Sequence, residues 1–352
     1  MFSTMLAALV LTTAAGQDAP QEVSPDTAVE AAPATDNADT ATAPLPSLQL
    51  APAPEPEPDI IRSTAGEYAA YHRVVADLHD APIASREDLD SAMDRLSVFY
   101  GEDRLVRAWL AYSAIIAARH PEYLDEVREL ADYYGSDAAL SGLMHDPAFA
   151  TSFASAGDAQ DSVVDAIGQD NAEIVSVSER YRAAAYDLQS ERWANRVYRD
   201  RADRLARLAD IGDEPIDLSD DVRMSLANGF DNGVPASALF ERLDNIPVDS
   251  TLGPQLTLTV GEAMPDPDRT RIGRILSVAA LESLDNAGAA DADAAIESLL
   301  ADPQVERCLA WVRLDLQQCV AAGHFKYEDS FCIAEHALLD VSRCLDASNA
   351  AR

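Results

Sequence analysis

Lysine is almost absent from this sequence: Lys326 is the only one among 352 residues, and 26 basic residues stand against 61 acidic ones. The formal net charge of −35 repels phosphate backbones and anionic lipid headgroups, so the composition argues against nucleic acid as a partner. Glycine is scarce, at 15 residues, and aromatic residues make up only 6% of the chain. Both shortages favour helices over a β-sheet fold.

The sequence also lacks the short motifs that carry catalysis or cofactor binding. It has no Gly-x-Ser-x-Gly elbow, no phosphate-binding loop, no dinucleotide-binding glycine fingerprint and no His-Glu-x-x-His zinc helix. His72 and His79 are seven residues apart and share a helix face, as two metal ligands would. No carboxylate is specifically placed with them in the sequence, so we interpret both as surface or groove histidines. No cofactor is predicted.

The N-terminus resembles an export signal. Residues 5–15 form an apolar run that has the length of a signal-peptide core and is too short to span a bilayer, and small residues up to Gly16 suit cleavage. We therefore expect residues 1–16 to be a signal peptide, the protein to be periplasmic or secreted, and the chain to have no transmembrane span. The leader before the run has no Lys or Arg, so a disordered cytosolic start is the alternative.

Residues 17–58 consist mainly of Ala, Pro, Thr, Asp and Glu, with no basic residue. Such a segment cannot bury enough apolar surface to fold, so it predicts a disordered linker that ends in an extended proline-rich spacer. The linker is either a tether or a passive tail. The folded helical domain is expected at residues 59–348, followed by a short tail at 349–352.

Apolar residues follow a helical period from residue 59 onward. The clearest stretches contain Tyr68, Tyr71, Val75 and Leu78; Leu89, Met93 and Leu96; Leu105, Trp109, Tyr112 and Ile116; and Leu124, Val127, Leu130 and Tyr134. Helix-start signals punctuate them: Ser85 with Asp88 resembles a capping box, and Asp-Pro recurs at 146–147, 266–267 and 302–303. The pattern predicts an all-α fold, a multi-helix array or bundle.

Residues 158–210 contain hardly any helix breaker, which predicts one or two long helices with Gly168 as the expected interruption. Eight arginines fall between residues 180 and 207. Because acidic residues interleave with them, we interpret this stretch as a solvated face that pairs with acidic neighbours rather than as a polyanion-binding helix.

Residues 213–269 are the least regular part of the predicted domain. Asn228–Gly229 and Asn232–Gly233 are turn signals, and the alternation at residues 256–260 is interpreted as an extended connection. Helices are expected again at residues 267–286 and 291–301.

All four cysteines lie near the C-terminus, and an even number in an exported chain argues for disulfides. Residues 304–322 and 328–345 each predict a helix. Cysteines on the same helix are then about 16 Å apart and cannot bond to each other, and they cannot converge on one zinc ion. Only pairing between the helices remains.

In an antiparallel hairpin, residues whose numbers have the same sum lie at the same height. The nested pairing Cys308–Cys344 and Cys319–Cys332 meets this condition, with sums of 652 and 651. We therefore predict a disulfide-stapled antiparallel helical hairpin over residues 302–346.

The cysteine spacing resembles the twin-cysteine motif of coiled-coil-helix-coiled-coil-helix proteins, although more residues intervene here, so the resemblance concerns geometry and implies no shared function. A second set of residues is similar to the tail of exported bacterial helical proteins of unknown function: Tyr327, Glu328, Asp329, Phe331, Cys332, His336, Asp340 and Cys344. This resemblance implies export and a helical fold but no particular activity.

Polar residues lie between the predicted disulfides. One helix ridge carries Cys332, His336, Asp340 and Cys344, and the opposing row carries Cys308, Val312, Asp315 and Cys319. The register places Asp315 against His336, which we interpret as a hydrogen-bonded pair that fixes the register. A metal or catalytic site that includes Asp315, His336 and Asp340 is the alternative. Because Cys332 and Cys344 are twelve residues apart, about 120° around an ideal helix, one helix end must fray or overwind.

These observations favour a non-enzymatic exported helical protein that acts through contacts with another envelope or extracellular protein. The alternative is a hydrolase or metal-binding protein whose site is assembled from dispersed His, Asp and Glu residues. A concave pocket lined by His and carboxylates would favour the alternative, and an exposed apolar groove would favour the binding protein.

Overall fold

A computed structural model of the chain describes residues 60–101, 103–197, 201–210, 216, 218–240, 266–285 and 292–346. They belong to one compact unit. Four predictions lie outside the described residues: the signal peptide at 1–16, the linker at 17–58, the extended connection at 256–260 and the tail at 349–352.

Every regular element among the described residues is helical, which confirms the all-α prediction. The α-helices are α1 Ile60–Asp80, α2 Arg86–Ser97, α3 Arg104–Ala117, α4 Pro121–Tyr134, α5 Ser136–His145, α6 Pro147–Ala150, α7 Ala156–Asp187, α8 Arg201–Asp210, α9 Asp220–Asn232, α10 Asp266–Asp285, α11 Ala292–Leu299, α12 Pro303–Ala322, α13 Tyr327–Cys332 and α14 Asp340–Cys344. A π-helical segment, Ile333–Leu339, connects α13 to α14 directly. Across the described part of the chain, no helix combines the length and apolar character needed to cross a bilayer.

Helix α3 forms the centre of the fold. Twelve of its 14 residues are buried, including Trp109, and a helix that is apolar on all sides belongs in a core. α1, α7 and α10 pack around it. The C-terminal hairpin, formed by α12 and the run from α13 to α14, packs against α7 through α13 and the π-helical segment.

Several helix boundaries follow from the predicted signals. Ser85 and Asp88 form the capping box at the start of α2. The Asp146 and Asp302 side chains accept backbone N–H hydrogen bonds at the starts of α6 and α12, each followed by proline in the first turn. Gly135 ends α4 with a positive φ of 94°.

The long helical stretch breaks at a different place from the one predicted. α7 runs for 32 residues straight through Gly168, continues as a 3₁₀-helix at Leu188–Ser190, and only then becomes irregular. A glycine inside a helix costs about 1 kcal/mol, which the buried neighbours Ile167 and Ile174 outweigh. Trp193 and Val197, expected in a helix, lie in the irregular stretch.

The turn predicted at Asn228–Gly229 is wrong, because both residues lie inside α9. Val222, Leu226 and Phe230 recur every four residues and are buried, which gives this helix its apolar face. Gly229 allows close packing: a Cβ there would lie 2.1 Å from Leu239 Cδ2. The second signal is correct, since Gly233 ends the helix in the left-handed conformation.

Candidate functional site

Two disulfides hold the C-terminal hairpin together. Cys308 is bonded to Cys344, the outer disulfide, and Cys319 to Cys332, the inner disulfide, with Cα–Cα distances of 5.6 and 5.7 Å. This is the nested pairing that the register predicts. Both helices are thereby fixed in rotation as well as in height.

The π-helical segment Ile333–Leu339 allows both cysteines of the second helical arm of the hairpin, α13 to α14, to face α12. In a regular α-helix, Cys332 and Cys344 would point about 120° apart. A π-helix takes more residues per turn, so it underwinds the chain and brings twelve residues close to a whole number of turns. The prediction that one end of the helix frays or overwinds is therefore wrong. The change in helical twist lies in the middle, in the π-helical segment that contains His336.

Asp315, His336 and Asp340 converge between the two disulfides, and we refer to them as the Asp–His–Asp cluster. One metal-ligating atom from each residue lies within 4.8 Å of the corresponding atoms of the other two. Asp315 comes from α12, His336 from the π-helical segment and Asp340 from the start of α14. The predicted proximity of Asp315 to His336 is thus seen. The hydrogen bond of His336, however, joins its Nδ1 to Asp340 Oδ2 at 2.9 Å.

Asp340 is the most strongly held member of this cluster. Arg343 Nη1 donates to its Oδ1 at 2.8 Å, while His336 occupies its Oδ2. Partial burial alone would raise the pKa of Asp340, but the hydrogen bonds and charges of His336 and Arg343 together lower that pKa below its ordinary value. The cluster therefore contains a carboxylate that is ionised at neutral pH and fixed in orientation.

A cavity of about 530 Å³ lies beside the outer disulfide, and we call it the outer groove. Its walls include Arg271, Arg307, Trp311, Asp315, Asp340 and Arg343. Trp311 is 60% exposed, which is unusual for so large an apolar side chain. The outer groove thus combines three guanidinium groups, a flat apolar surface and two carboxylates of the Asp–His–Asp cluster.

Arg271 connects the outer groove to the core. Its side chain is buried, its Nη1 donates to the Asp346 carbonyl at 2.5 Å, and its Nε lies 3.7 Å from Asp302 Oδ2. Its guanidinium also lies 5.9 Å from the ring centroid of Trp109 in α3. The arginine is therefore held in place by both the hairpin and the central helix.

A second cavity, of about 340 Å³, lies beside the inner disulfide, and we call it the inner groove. Tyr186 and Phe331 line it and are 66% and 42% exposed. Each disulfide is therefore flanked by a groove that displays exposed aromatic side chains.

The two histidines of α1 contact different carboxylates. His79 is half-exposed, and its Nδ1 lies 3.0 Å from Glu173 Oε1, whereas His72 is buried with Nε2 3.9 Å from Asp170 Oδ2. The interpretation as surface or groove histidines is thus correct for His79 and wrong for His72. α7 supplies both carboxylates, a contact between distant segments that sequence spacing does not show.

His72 is enclosed on all sides in the core. The Tyr68 and Tyr71 rings pack edge-on against it, with centroids 4.6 and 5.5 Å away, and neither ring nitrogen has a hydrogen-bond partner among the described residues. Burial lowers the pKa of His72, although the charges of Asp170 and Glu173 oppose the shift. The neutral imidazole is therefore the form that the fold favours.

This burial predicts an acid-sensitive stability. Because the folded-state pKa of His72 lies below the unfolded value near ~6.5, the unfolded chain takes up the proton first, and stability is lost as pH falls from that value through the folded pKa. We expect His72→Phe, which keeps the ring packing, to flatten this part of the profile. Urea unfolding at pH values between about 7 and 5 measures the effect. His79→Gln, at the exposed pair, is expected to retain the wild-type slope.

The only lysine is buried in an ionic network that sequence analysis missed. Lys326 Nζ donates to Asp90 and, at 2.6 Å, to Asp329 Oδ2, while Arg204 Nη2 donates to Asp329 Oδ1 at 2.5 Å. The network joins α2, α8 and the start of α13. The sequence feature that could have indicated this network is the presence of one lysine in a chain whose other basic residues are arginines.

Three of the arginines between residues 180 and 207 pair with acidic side chains, as predicted, whereas Arg180 donates to the backbone carbonyls of Leu78 and Ala81. Arg182 Nη2 lies 2.6 Å from Glu335 Oε1, Arg207 contacts Asp94, and Arg204 contacts Asp329. These ion pairs attach α7 and α8 to neighbouring helices.

No family model, curated protein or solved structure matches this chain.

Proposed function

We propose that this chain is a non-enzymatic exported protein that acts through contacts with another envelope or extracellular protein, and that the disulfide-stapled hairpin is the contacting surface. The observation that carries this proposal is the display of Trp311, Tyr186 and Phe331 in the two grooves beside the disulfides. Tryptophan, tyrosine and arginine are the residue types that dominate binding energy at protein interfaces.

The hairpin is suited to binding because it is already rigid. Two disulfides and the packing against α7 fix the side chains of the grooves before a partner arrives, so little conformational entropy is lost on association. Exposed aromatic residues on a helix end that no disulfide or packing contact holds in place would lose more conformational entropy on association.

The chemistry of the outer groove indicates what the partner presents. Guanidinium groups such as those of Arg307 and Arg343 bind carboxylates with paired hydrogen bonds, and Trp311 offers a flat apolar contact. A peptide segment with an acidic residue next to an apolar one fits this combination. The net charge of −35 disfavours a strongly acidic partner overall.

Export is supported by the disulfides themselves. Structural disulfides persist in oxidising compartments and are rare in the cytosol, so two of them in one hairpin suit a periplasmic or secreted protein. The short apolar run before Gly16 points the same way.

The proposal predicts site-specific crosslinking in intact cells. A photoreactive amino acid at position 311 should give a discrete adduct with one envelope protein, because that position lies inside the outer groove. Arg307→Glu in the same chain should abolish the adduct by repelling the acidic group of the partner. Mass spectrometry of the adduct identifies the partner.

The control places the same photoreactive residue at position 133, where Tyr133 is 80% exposed on α4. It should give no such adduct. Identical adducts from positions 311 and 133, or an adduct at 311 that survives Arg307→Glu, would contradict the proposal.

The alternative function, a hydrolase or metal-binding protein, has one observation in its favour, and it supports only metal binding. The Asp–His–Asp cluster brings ligand atoms from both helical arms of the hairpin close together. Binding of a metal ion and binding of a protein at the adjoining grooves are compatible with each other.

A further inference from the structure

We infer that Asp315, His336 and Asp340 form a binding site for a first-row divalent transition-metal ion, of which Zn²⁺ is the natural probe. Among the described residues, this is the one group of three or more His, Cys, Asp or Glu side chains whose ligand atoms converge, within 4.8 Å of one another. The site does not depend on the proposed protein contact.

The distances are close to those around a single ion. Protein ligands lie about 2.0–2.2 Å from Zn²⁺, so neighbouring ligands of one ion are separated by roughly 3 Å. His336 Nδ1 and Asp340 Oδ2 are 2.9 Å apart and share a hydrogen bond, whose proton the ion would replace. Asp315 offers a ligand atom within 4.8 Å of both, so its carboxylate completes the set of three ligands by moving toward them.

The ligand types select the class of metal. An imidazole with two carboxylates suits Zn²⁺ and its first-row neighbours, whereas Ca²⁺ and Mg²⁺ prefer oxygen ligands alone. Three protein ligands leave at least one coordination position for water or another ligand. Since Asp315 and Asp340 line the outer groove, this open position is reached from the groove.

The surroundings orient the ligands. Arg343 donates to Asp340 Oδ1 at 2.8 Å, an outer contact of the kind that holds ligating carboxylates in place. Asp340 Oδ2, which shares a hydrogen bond with His336 Nδ1, then faces the ion once the ion replaces the proton of that bond. The two disulfides fix the distance between α12 and the opposite helical arm of the hairpin, α13 to α14. The ligands are therefore held close together before an ion binds.

The His79–Glu173 pair provides an internal comparison. Its His–carboxylate distance is 3.0 Å, against 2.9 Å for His336 and Asp340, but it belongs to no three-residue group among the described side chains. Two ligands bind a divalent ion only weakly. Comparison with this pair therefore shows whether an ion binds any histidine–carboxylate pair or requires the three ligands of the Asp–His–Asp cluster.

Titration of the oxidised, full-length mature protein with ZnCl₂, followed by calorimetry, tests the inference. We expect one equivalent to bind, and Asp315→Asn and His336→Gln each to lower the affinity by at least about tenfold. Asp315 forms no hydrogen bond or ion pair with the other described residues, so Asp315→Asn should unfold at the wild-type temperature. Co²⁺ should bind at the same stoichiometry and give a visible spectrum that is lost in His336→Gln.

His79→Gln is the matched control and should bind Zn²⁺ as the wild type does. The inference is overturned if the wild type binds no stoichiometric Zn²⁺, if Asp315→Asn leaves the affinity unchanged, or if millimolar Mg²⁺ displaces the ion. None of these results changes the crosslinking expected at position 311, so the site and the proposed function fail separately.

Discussion

Replacing Lys326 with methionine is expected to lower the free energy of unfolding by about 2–3 kcal/mol. Methionine fills the space of the lysine stem but removes the ammonium group, which is fully buried and contacts Asp90 and Asp329. Asp329 is itself 2% exposed, so the variant leaves a buried carboxylate with Arg204 as its remaining cationic partner. Equilibrium unfolding in urea measures the loss.

The control for this variant is a surface ion pair. Arg128 and Asp125 lie 2.7 Å apart but are 45% and 67% exposed, so Arg128→Met should change stability by at most about 1 kcal/mol. An equal loss in the two variants would show that the Lys326 network is no more important than a surface pair.

Because Lys326 is the only lysine, it also reports on unfolding directly. An amine-reactive reagent should modify Lys326 only as the chain unfolds, since Nζ is buried in the fold. The rate of lysine modification then provides a second measure of the unfolding free energy in the wild type and in Arg128→Met, both of which keep Lys326.

Helical periodicity and capping residues were sufficient to predict the fold class and many helix starts. The capping box at Ser85 and the aspartate caps at Asp146 and Asp302 are local features, formed within a few residues of sequence. Local signals failed where tertiary burial opposed them. α7 continues through Gly168 and α9 through Gly229, because packing of their apolar faces outweighs the propensity of one glycine.

The disulfide pairing could be derived because, in an antiparallel hairpin, residue numbers determine which residues lie at the same height along the two helices. That argument also placed Asp315 near His336, and the spacing of Cys332 and Cys344 indicated a rotation of about 120° that the helix has to absorb, but not where it does so. The π-helical segment absorbs this rotation between the two cysteines. The geometry of the Asp–His–Asp cluster was therefore predictable in height and not in detail.

Contacts between distant segments were beyond sequence reasoning. His72 meets Asp170, and Lys326 meets Asp90, through helix packing that no spacing rule encodes. In a chain with 61 acidic residues, no single carboxylate stands out as a partner for a buried base. Only the packing of α7 on α1, and of α13 near α2, selects which ones are used.

Removing the outer disulfide with Cys308→Ala and Cys344→Ala is expected to lower the free energy of unfolding by about 4 kcal/mol on the chain-entropy model. The loop that it closes has a sequence separation of 36, against 13 for the inner disulfide, whose removal should cost about 3 kcal/mol. Urea unfolding of the two double variants measures both losses, and the longer loop should give the larger one.

The outer disulfide also fixes the rotation of the chain at Cys344, which adds a consequence that loop entropy alone does not have. Without this bond, Ile333–Leu339 can rewind as a regular α-helix, which turns Asp340 away from α12 and separates it from Asp315. We therefore expect the outer double variant to bind Zn²⁺ at least about tenfold more weakly, while the inner variant, in which Cys344 stays bonded, retains more of its affinity. A larger stability loss from the inner variant, or a peptide linking Cys308 to Cys319 in the non-reduced wild type, would refute the hairpin register on which both expectations depend.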